Sequence, residues 1–468
     1  MTPGGLRHKV IKGGAYLAGR QLVGMLLSMV SMVIIFRYLG PKDFGLLSVT
    51  QGIWFFVGSV ASLGLDVFLI REKESLREEE IRQIFTLIVL VFLFAYLTIW
   101  ILSPFISIWL GNVILEPLLK LAGVVYLLKQ IGLVSQALLD RSLEFRKVSL
   151  VELASQIIYY VGAIPLVIAG WTYWGVMAGL IISTGFMTLY LIRLHSIHPV
   201  VCFHMPFVKR ALKYGLGYQF AVWTWQIRDF AVPVVIAKIA GLEAAGIVSA
   251  TNQLINRVSF LRGVVWRISI AAFAKIYDDI ERMLRAIQKG MVYQALLLGV
   301  MFVGVAMVLP WVHLILGPKW IAVAGVYPFL ATGILMNAVF SLQCSALFAK
   351  GFNHNVNKFH IANITILLAA SFFIIPRLGL WGYCIAELMA LLSYVVLHNE
   401  VIRNLGKPTY GIVFIVLATV TTALFVATWF PYGNWVVSGG LVMFASMARI
   451  RKEFNSVYRE LRAELAKE

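Results

Sequence analysis

Apolar and polar positions along this chain fall into long blocks. Runs of about 20 mainly apolar residues, each able to cross a hydrocarbon core of roughly 30 Å as an α-helix, alternate with short polar turns. Cutting the sequence at those turns predicts fourteen transmembrane spans, at residues 13–39, 45–70, 83–109, 117–140, 148–169, 174–193, 211–239, 246–266, 287–316, 321–349, 359–376, 380–401, 408–430 and 433–448. The pattern therefore predicts an all-α, polytopic membrane protein with about fourteen transmembrane helices.

One segment that follows the first span returns halfway along the chain. The sequence YLGPKDFGLLSVT at residues 38–50 is echoed as IAGLEAAGIVSAT at residues 239–251. Weaker matches continue in the same order, as in the pairing of Trp174-Gly175 with Trp381-Gly382. An ordered series of this kind predicts an internal duplication of a six-span unit.

The duplication predicts the domain organisation. Two repeats of six spans have the same orientation and form a parallel repeat, related by an axis along the membrane normal. We expect one six-helix lobe at residues 1–200, a second at 201–402, and two extra transmembrane helices with a basic tail at 403–468. The repeated glycines mark turns that we predict to lie near an outer gate, namely Gly40, Gly45, Gly241 and Gly246.

Composition and charge agree with a membrane location. Hydrophobic residues make up 60% of the chain and charged residues 13%, against about 25% charged in ordinary soluble proteins. With the N-terminus inside, five of the 40 Lys and Arg fall at the outer face and five within spans, which leaves 30 on the cytoplasmic side. This bias predicts a cytoplasmic-membrane protein with both termini in the cytoplasm. It also indicates that the basic residues behind the net charge of +18 interact with anionic membrane lipid rather than with nucleic acid.

Several cations lie inside predicted spans, where an ionisable group is costly and suggests a functional site. In the eighth span Ser249, Asn252, Asn256 and Ser259 also form one polar stripe on a helix. Snorkelling, acid pairing or close helix packing would explain some of these residues without a ligand. The predicted substrate-binding residues are Arg20, Lys129, Arg228, Asn252, Asn256 and Arg257.

Four acids also lie within predicted spans, at Asp66, Glu152, Asp229 and Glu387. Such carboxylates can bind a coupling proton or sodium ion, and they can equally serve as counter-charges for buried cations. Asp229 adjoins Arg228, but neighbouring residues on a helix point in different directions, so a pair between them does not follow. The sequence leaves both roles open for all four acids.

The remaining motifs exclude several kinds of chemistry. The sequence has no GxxxxGK[ST] phosphate loop, no Gly-rich cofactor loop and no paired carboxylates or nucleophile–base set, so we expect no ATP hydrolysis, no cofactor and no enzymatic activity. A cluster of three histidines and Cys202 near residue 200 falls in a short, proline-broken loop, which lacks the fixed geometry of a zinc site. The three cysteines offer no extracytoplasmic pair for a disulfide.

The segment RYLGPKDFGLLS at Arg37 to Ser48, after a long first span, resembles the polysaccharide transporters of the oligosaccharide flippase group (Wzx-like). These belong to the multidrug/oligosaccharidyl-lipid/polysaccharide exporter superfamily. The six-plus-six spans, the short outer loops and the element LGPKW at Leu316 to Trp320 are similar as well. The resemblance implies two bundles around a V-shaped cavity, which move oligosaccharide joined to a polyprenyl phosphate or pyrophosphate carrier.

Two other functions remain as alternatives. A drug/cation antiporter of the same superfamily would be expected to present acids, rather than Arg20, Lys129 and Arg257, to its cationic substrates. A membrane-embedded glycan polymerase or ligase would be expected to have a substantial outer loop, and every predicted outer connection is under about ten residues. A proton or Na⁺ is the expected coupling ion in the transporter interpretations.

Overall fold

A computed structural model describes residues 23–72, 76–195, 197–200, 203–430 and 432–438. Within these ranges the regular structure is entirely helical. The helices α1 to α17 are, in chain order, Val23–Tyr38, Pro41–Ser62, Leu65–Arg71, Glu78–Leu110, Leu115–Arg141, Phe145–Leu166, Thr172–Leu194, Met205–Ile239, Leu242–Val258, Leu261–Lys275, Ile280–Val308, Val312–Ile315, Ala322–Ala349, Asn353–Leu378, Leu380–Met389, Tyr394–Asn404 and Gly411–Trp429. The predicted start of the first span, most of the fourteenth and the basic tail lie outside the described residues.

Nine helical segments of the described chain are long and apolar enough to cross a membrane. One of them, Phe145–Leu194, contains the predicted spans five and six, so these segments account for ten of the fourteen predicted spans. Spans seven and eight fall short of this criterion because charged and amide side chains interrupt their apolar character. In addition, span eight is divided into α9 and α10, of 17 and 15 residues. The chain is a polytopic, all-α membrane protein.

Predicted spans two and eight are each divided by a residue whose backbone leaves helical geometry. Span two becomes α2 and α3, because Leu63 adopts a left-handed φ of 52° and its N–H closes the last turn on Val60 O. Span eight becomes α9 and α10, because the backbone leaves helical geometry at Ser259, where ψ is 19°. Each break falls in the second span of a predicted repeat. The two predicted repeats therefore correspond in the position of this helix break as well as in sequence.

The two copies of the repeated motif pack against each other where α2 crosses α9. A Cβ atom added at Gly45 would lie 1.9 Å from the carbonyl oxygen of Leu242, and one added at Gly246 would lie 1.8 Å from that of Pro41. Only glycine allows two helix backbones to approach so closely. We call the end of the bundle where α2 and α9 begin the crossing end; the charge pattern predicts that it faces outward.

Trp320 reinforces the crossing end. Its side chain is fully buried and stacks on Phe36 of α1, with 4.6 Å between ring centroids. The indole Nε1 donates hydrogen bonds to the carbonyl oxygens of Phe36 at 2.7 Å and Leu39 at 3.2 Å. Because the buried N–H is paired, the large aromatic surface can be buried without leaving an unsatisfied donor. The contact joins the first and second predicted repeats.

Helix α8 contacts both predicted lobes. Near its start, Phe207 and Ala211 join an apolar cluster with residues of α3, α4 and α5. Farther along, Gln219 Nε2 donates to the Ser59 carbonyl of α2 at 2.9 Å. Beyond that point Arg228 reaches α14 and α15. The predicted lobe boundary at residue 201 precedes this helix, yet the first half of α8 packs with the N-terminal lobe.

Candidate functional site

Arg257 faces a cavity of about 420 Å³ between α1, α6 and α9. Its Nη1 donates to the carbonyl oxygen of Ser28 on α1. A guanidinium carries five N–H donors, and this is its one hydrogen bond among the described residues. The cavity is lined by Gly24, Met25, Ser28, Gln156, Gln253, Asn256, Arg257 and Phe260. Within the described residues most donors of Arg257 are therefore unpaired, and they lie beside three amide side chains.

The predicted polar stripe of span eight is divided between the cavity and the protein interior. Asn256 is exposed and lines the cavity. Asn252 is half-buried and lies outside the lining, whereas Ser259 is buried and its hydroxyl donates to the Asn256 carbonyl at 3.4 Å. The structure thus places Asn256 and Arg257 together, and it does not place Asn252 with them.

Arg228 lies in a different environment, between α14 and α15. Its Nη1 donates to Asn363 Oδ1 at 2.8 Å, and its Nη2 forms an ion pair with Glu387 Oε1. Sequence spacing could not indicate this pair, since 159 residues separate the partners. The adjacent acid, Asp229, is exposed and interacts electrostatically with Arg228 and with Arg262 of α10.

Lys129 lies on α5, and its Nζ is 4.4 Å from the centre of the Tyr126 ring. This cation–π contact is its one partner within the described residues. The Tyr126 hydroxyl in turn donates to the Gln51 carbonyl on α2 at 3.3 Å. Lys129 does not line the cavity at Arg257, so the structure does not bring these two predicted cations into contact.

The other predicted acids are scattered. Asp66 lies in the first turn of α3 and interacts electrostatically with Tyr218 of α8. Glu152 of α6 accepts a hydrogen bond from Gln136 Nε2 at 3.4 Å. They do not form a cluster with Glu387. Of the predicted substrate cations, Arg20 lies outside the described residues.

The repeated glycines lie together at the crossing end. Gly40 and Gly241 are the residues that precede α2 and α9, and Gly241 has a positive φ of 91°. Gly45 and Gly246 form the backbone contact described above. The structure therefore brings the four predicted gate residues into one region.

The balance of charge differs between the cations. Arg228 is paired with Glu387, and Arg262 interacts with Asp229. Arg257 and Lys129 have no acidic partner among the described residues, where their contacts are with Ser28 and Tyr126. A cation without a counter-charge at membrane depth is costly. Such a cation is explained if an anionic ligand supplies the missing charge.

Sequence reasoning missed several polar residues of these sites. Arg262 is not among the predicted site residues, although it lies in α10 beside Asp229. Asn363, Gln156 and Gln253 were not predicted either. The available signal was an amide inside an apolar span, which is expensive in hydrocarbon unless it has a partner. The partners of Asn363 lie on other helices, so the signal identifies candidates without assigning contacts.

The curated relatives cover most of the chain. The lipopolysaccharide biosynthesis protein WzxC of Escherichia coli (strain K12) is 24% identical over 432 residues, which span 85% of this chain and 83% of WzxC. A membrane protein of the cps region of Klebsiella pneumoniae is 24% identical over 413 residues, or 85% of this chain and 84% of that protein. Both relatives extend over the predicted repeats.

Solved structures establish the fold and the family model establishes the family. The lipid II flippase MurJ, in an inward closed conformation, superposes with a TM-score of 0.73 at 12% identity, covering 94% of this chain and 99% of MurJ. At that identity the likeness concerns the fold alone. Residues 34–325, more than half of the 468-residue chain, match the family described as "Polysaccharide biosynthesis protein". The chain therefore belongs to this polysaccharide biosynthesis protein family.

Proposed function

We propose that this protein is a flippase, which moves oligosaccharide linked to a polyprenyl phosphate or pyrophosphate across the cytoplasmic membrane for cell-surface polysaccharide synthesis. The observation that carries the proposal is that Arg257 and Lys129 each have no acidic partner among the described residues of a polytopic member of a polysaccharide biosynthesis family. An anionic head that crosses hydrocarbon needs positive charge at membrane depth. WzxC, which is similar to this chain over most of its length, is likewise named for lipopolysaccharide biosynthesis.

The cavity at Arg257 suits both parts of such a substrate head. Arg can form bidentate hydrogen bonds to phosphate oxygens. Asn256, Gln253 and Gln156 provide amide donors and acceptors beside it, as hydroxyl-rich sugars require. The substrate proposed here supplies negative charge, whereas a cationic drug would be repelled by Arg257 and Lys129. The cavity thus favours the flippase over the antiporter interpretation.

Transport in this proposal proceeds by alternating access between lobes at residues 1–200 and 201–402. The tight α2–α9 crossing and the Trp320 contact hold the two lobes together at the crossing end. Separation of these contacts would open that end, while the lobes approach at the other. Proton or Na⁺ coupling is part of the proposal, with Asp66, Glu152 and Asp229 as candidates. Glu387 serves instead as the counter-charge of Arg228.

Arg257→Ala is expected to reduce delivery of lipid-linked glycan by at least about tenfold, which corresponds to a loss of about 1.4 kcal/mol. Arg257→Lys should retain part of the activity, because lysine keeps the charge and loses the bidentate geometry. Glycan at the cell surface, measured in cells that lack the native copy, reports the activity. Membrane abundance of each variant is measured in parallel.

Arg282→Ala is the matched control, because Arg282 is an exposed arginine at the start of α11 whose side chain lies outside the cavity. It should leave glycan delivery unchanged. If Arg257 only supports folding, Arg257→Ala will lower protein abundance in step with glycan delivery. Full delivery by an abundant Arg257→Ala protein would remove this residue from the substrate site.

The proposed orientation in the cytoplasmic membrane has a separate test. A cysteine at Val113, in the loop between α4 and α5, should react with an impermeant thiol reagent in intact cells. A cysteine at Asp278, in the loop between α10 and α11, should react only after the membrane is permeabilised. Both positions are exposed, so failure to react reports the side of the membrane. Reaction at Asp278 in intact cells would reverse the proposed topology.

A further inference from the structure

The Arg228 site is built from three helices. Asn363 of α14 accepts a hydrogen bond from Arg228 through Oδ1, and its Nδ2 donates to Ser393 Oγ and to the Ala390 carbonyl, both at 3.0 Å. The Ala390 carbonyl is accessible because a 3₁₀ segment at Ala390–Ser393 interrupts the helix between α15 and α16. The amide of Asn363 is thus fixed in the orientation that presents its oxygen to the guanidinium.

The carboxylate of Glu387 is held as firmly. One oxygen pairs with Arg228, and the other accepts a hydrogen bond from the Tyr383 hydroxyl at 3.1 Å. Both oxygens therefore have partners. In a buried network, satisfied groups hold one geometry because every alternative leaves a polar atom unpaired.

The two members of the ion pair differ in solvent exposure, so that Arg228 forms its exposed front and Glu387 its buried back. The Arg228 side chain is 30% exposed, whereas the Glu387 side chain is 4% exposed. Part of the Arg228 side chain is thus open to a ligand, whereas the carboxylate of Glu387 is enclosed. This arrangement differs from that of Arg257, whose partner is a carbonyl oxygen with no net charge.

Resting on the proposed function, we propose that Glu387 is a positioning residue that tunes Arg228 as a weak anion site for the substrate phosphate. The carboxylate orients the guanidinium toward the open side and cancels much of its charge. An arriving phosphate must then compete with Glu387 for Arg228. A transporter needs binding that is favourable enough to accept the substrate and weak enough to release it. Competition from the Glu387 carboxylate keeps the affinity of Arg228 for the substrate phosphate low enough for release.

The test measures the affinity of purified protein in lipid nanodiscs for geranyl pyrophosphate, a short polyprenyl pyrophosphate. Glu387→Gln keeps the shape and removes the competing charge. We expect this variant to bind geranyl pyrophosphate about tenfold more tightly than the parent does, because the ligand no longer competes with a carboxylate in contact with Arg228. Its delivery of glycan should nevertheless fall, because release becomes slower. A purely structural role predicts weaker binding or none.

Two further variants keep the test decisive. Glu387→Asp retains the charge at a greater distance from Arg228, so its affinity should rise less than that of Glu387→Gln. Glu116→Gln removes an equal charge from the Glu116–Lys120 pair, whose atoms are 2.6 Å apart in α5, and should leave the affinity unchanged. Glu387→Gln protein with unchanged thermal stability and unchanged or weaker affinity would overturn the inference.

The same measurement separates this inference from the proposed function. Binding by the parent that Arg257→Ala weakens, combined with no gain in Glu387→Gln, would leave the flippase proposal in place and reject the role of Glu387. Absence of binding by the parent and by every variant would count against the flippase proposal, and the inference that rests on it would fall with it.

Discussion

Gly246→Ala is expected to stop delivery of lipid-linked glycan almost completely while the protein still reaches the membrane. The added Cβ atom would lie 1.8 Å from the Pro41 carbonyl oxygen, and backbone on both sides cannot move aside as a flexible side chain can. Overpacking costs about 1–3 kcal/mol. If the added methyl group destabilises the closed crossing by about 3 kcal/mol relative to the open state, the population of the closed state falls by roughly a hundredfold.

Gly304→Ala provides the matched control for this prediction. Gly304 lies inside α11, and a Cβ atom added there meets nothing within 4 Å. The substitution should leave transport unchanged, since alanine is the better helix former by about 1 kcal/mol. Gly45→Ala should reproduce the defect of Gly246→Ala, because the two glycines face each other across one crossing. Normal delivery by Gly246→Ala at full abundance would show that this crossing is not part of the transport cycle.

Arg228→Ala is expected to destabilise the folded protein far more than Glu387→Gln does. Removing the arginine leaves Glu387, 4% exposed, as an unpaired buried carboxylate, and breaking a buried pair in this way costs about 3–5 kcal/mol. Removing the acid instead leaves an arginine whose side chain is 30% exposed, so that its charge is less costly than that of a buried carboxylate. Thermal unfolding of purified protein in detergent measures the difference.

The double variant Arg228→Met/Glu387→Leu tests the explanation. Replacing both members of a buried pair by apolar residues is often neutral or stabilising, so its thermal stability should return close to that of the parent. Glycan delivery should stay low, since the proposed anion contact is absent. Equal destabilisation by Arg228→Ala and Glu387→Gln would contradict the front-and-back arrangement of the pair.

The motif at Arg37 to Ser48 and its weaker copy were informative because they mark a structural contact. Gly45 and Gly246 match in sequence, and the same two glycines touch in the structure. Duplicated elements related by an axis between them contact each other through equivalent residues. Periodicity could not show the crossing itself, because a close approach depends on how two helices are placed in space.

The site was predicted less completely than the fold. The free-energy cost of placing a charged side chain in hydrocarbon identified Arg228, Arg257 and Glu387 as residues that need an explanation. Whether a given cation is paired depends on a partner that lies far away in sequence, as Glu387 does from Arg228. The sequence accordingly left the role of Glu387 open, and the ion pair identifies it as a counter-charge in this structure.

The sequence by itself determined that the chain lies in a membrane, that it is helical and which family it resembles. These properties follow from the length of the apolar blocks, the composition and local motifs. A run of apolar residues can satisfy its backbone in a bilayer only as a helix or a closed barrel, and that constraint acts locally. The tertiary structure decided where helices break, at which glycines two helices cross, and which cations have no acidic partner among the described residues. These features depend on contacts between distant helices, such as those that leave Arg257 facing a cavity and enclose Glu387 behind Arg228.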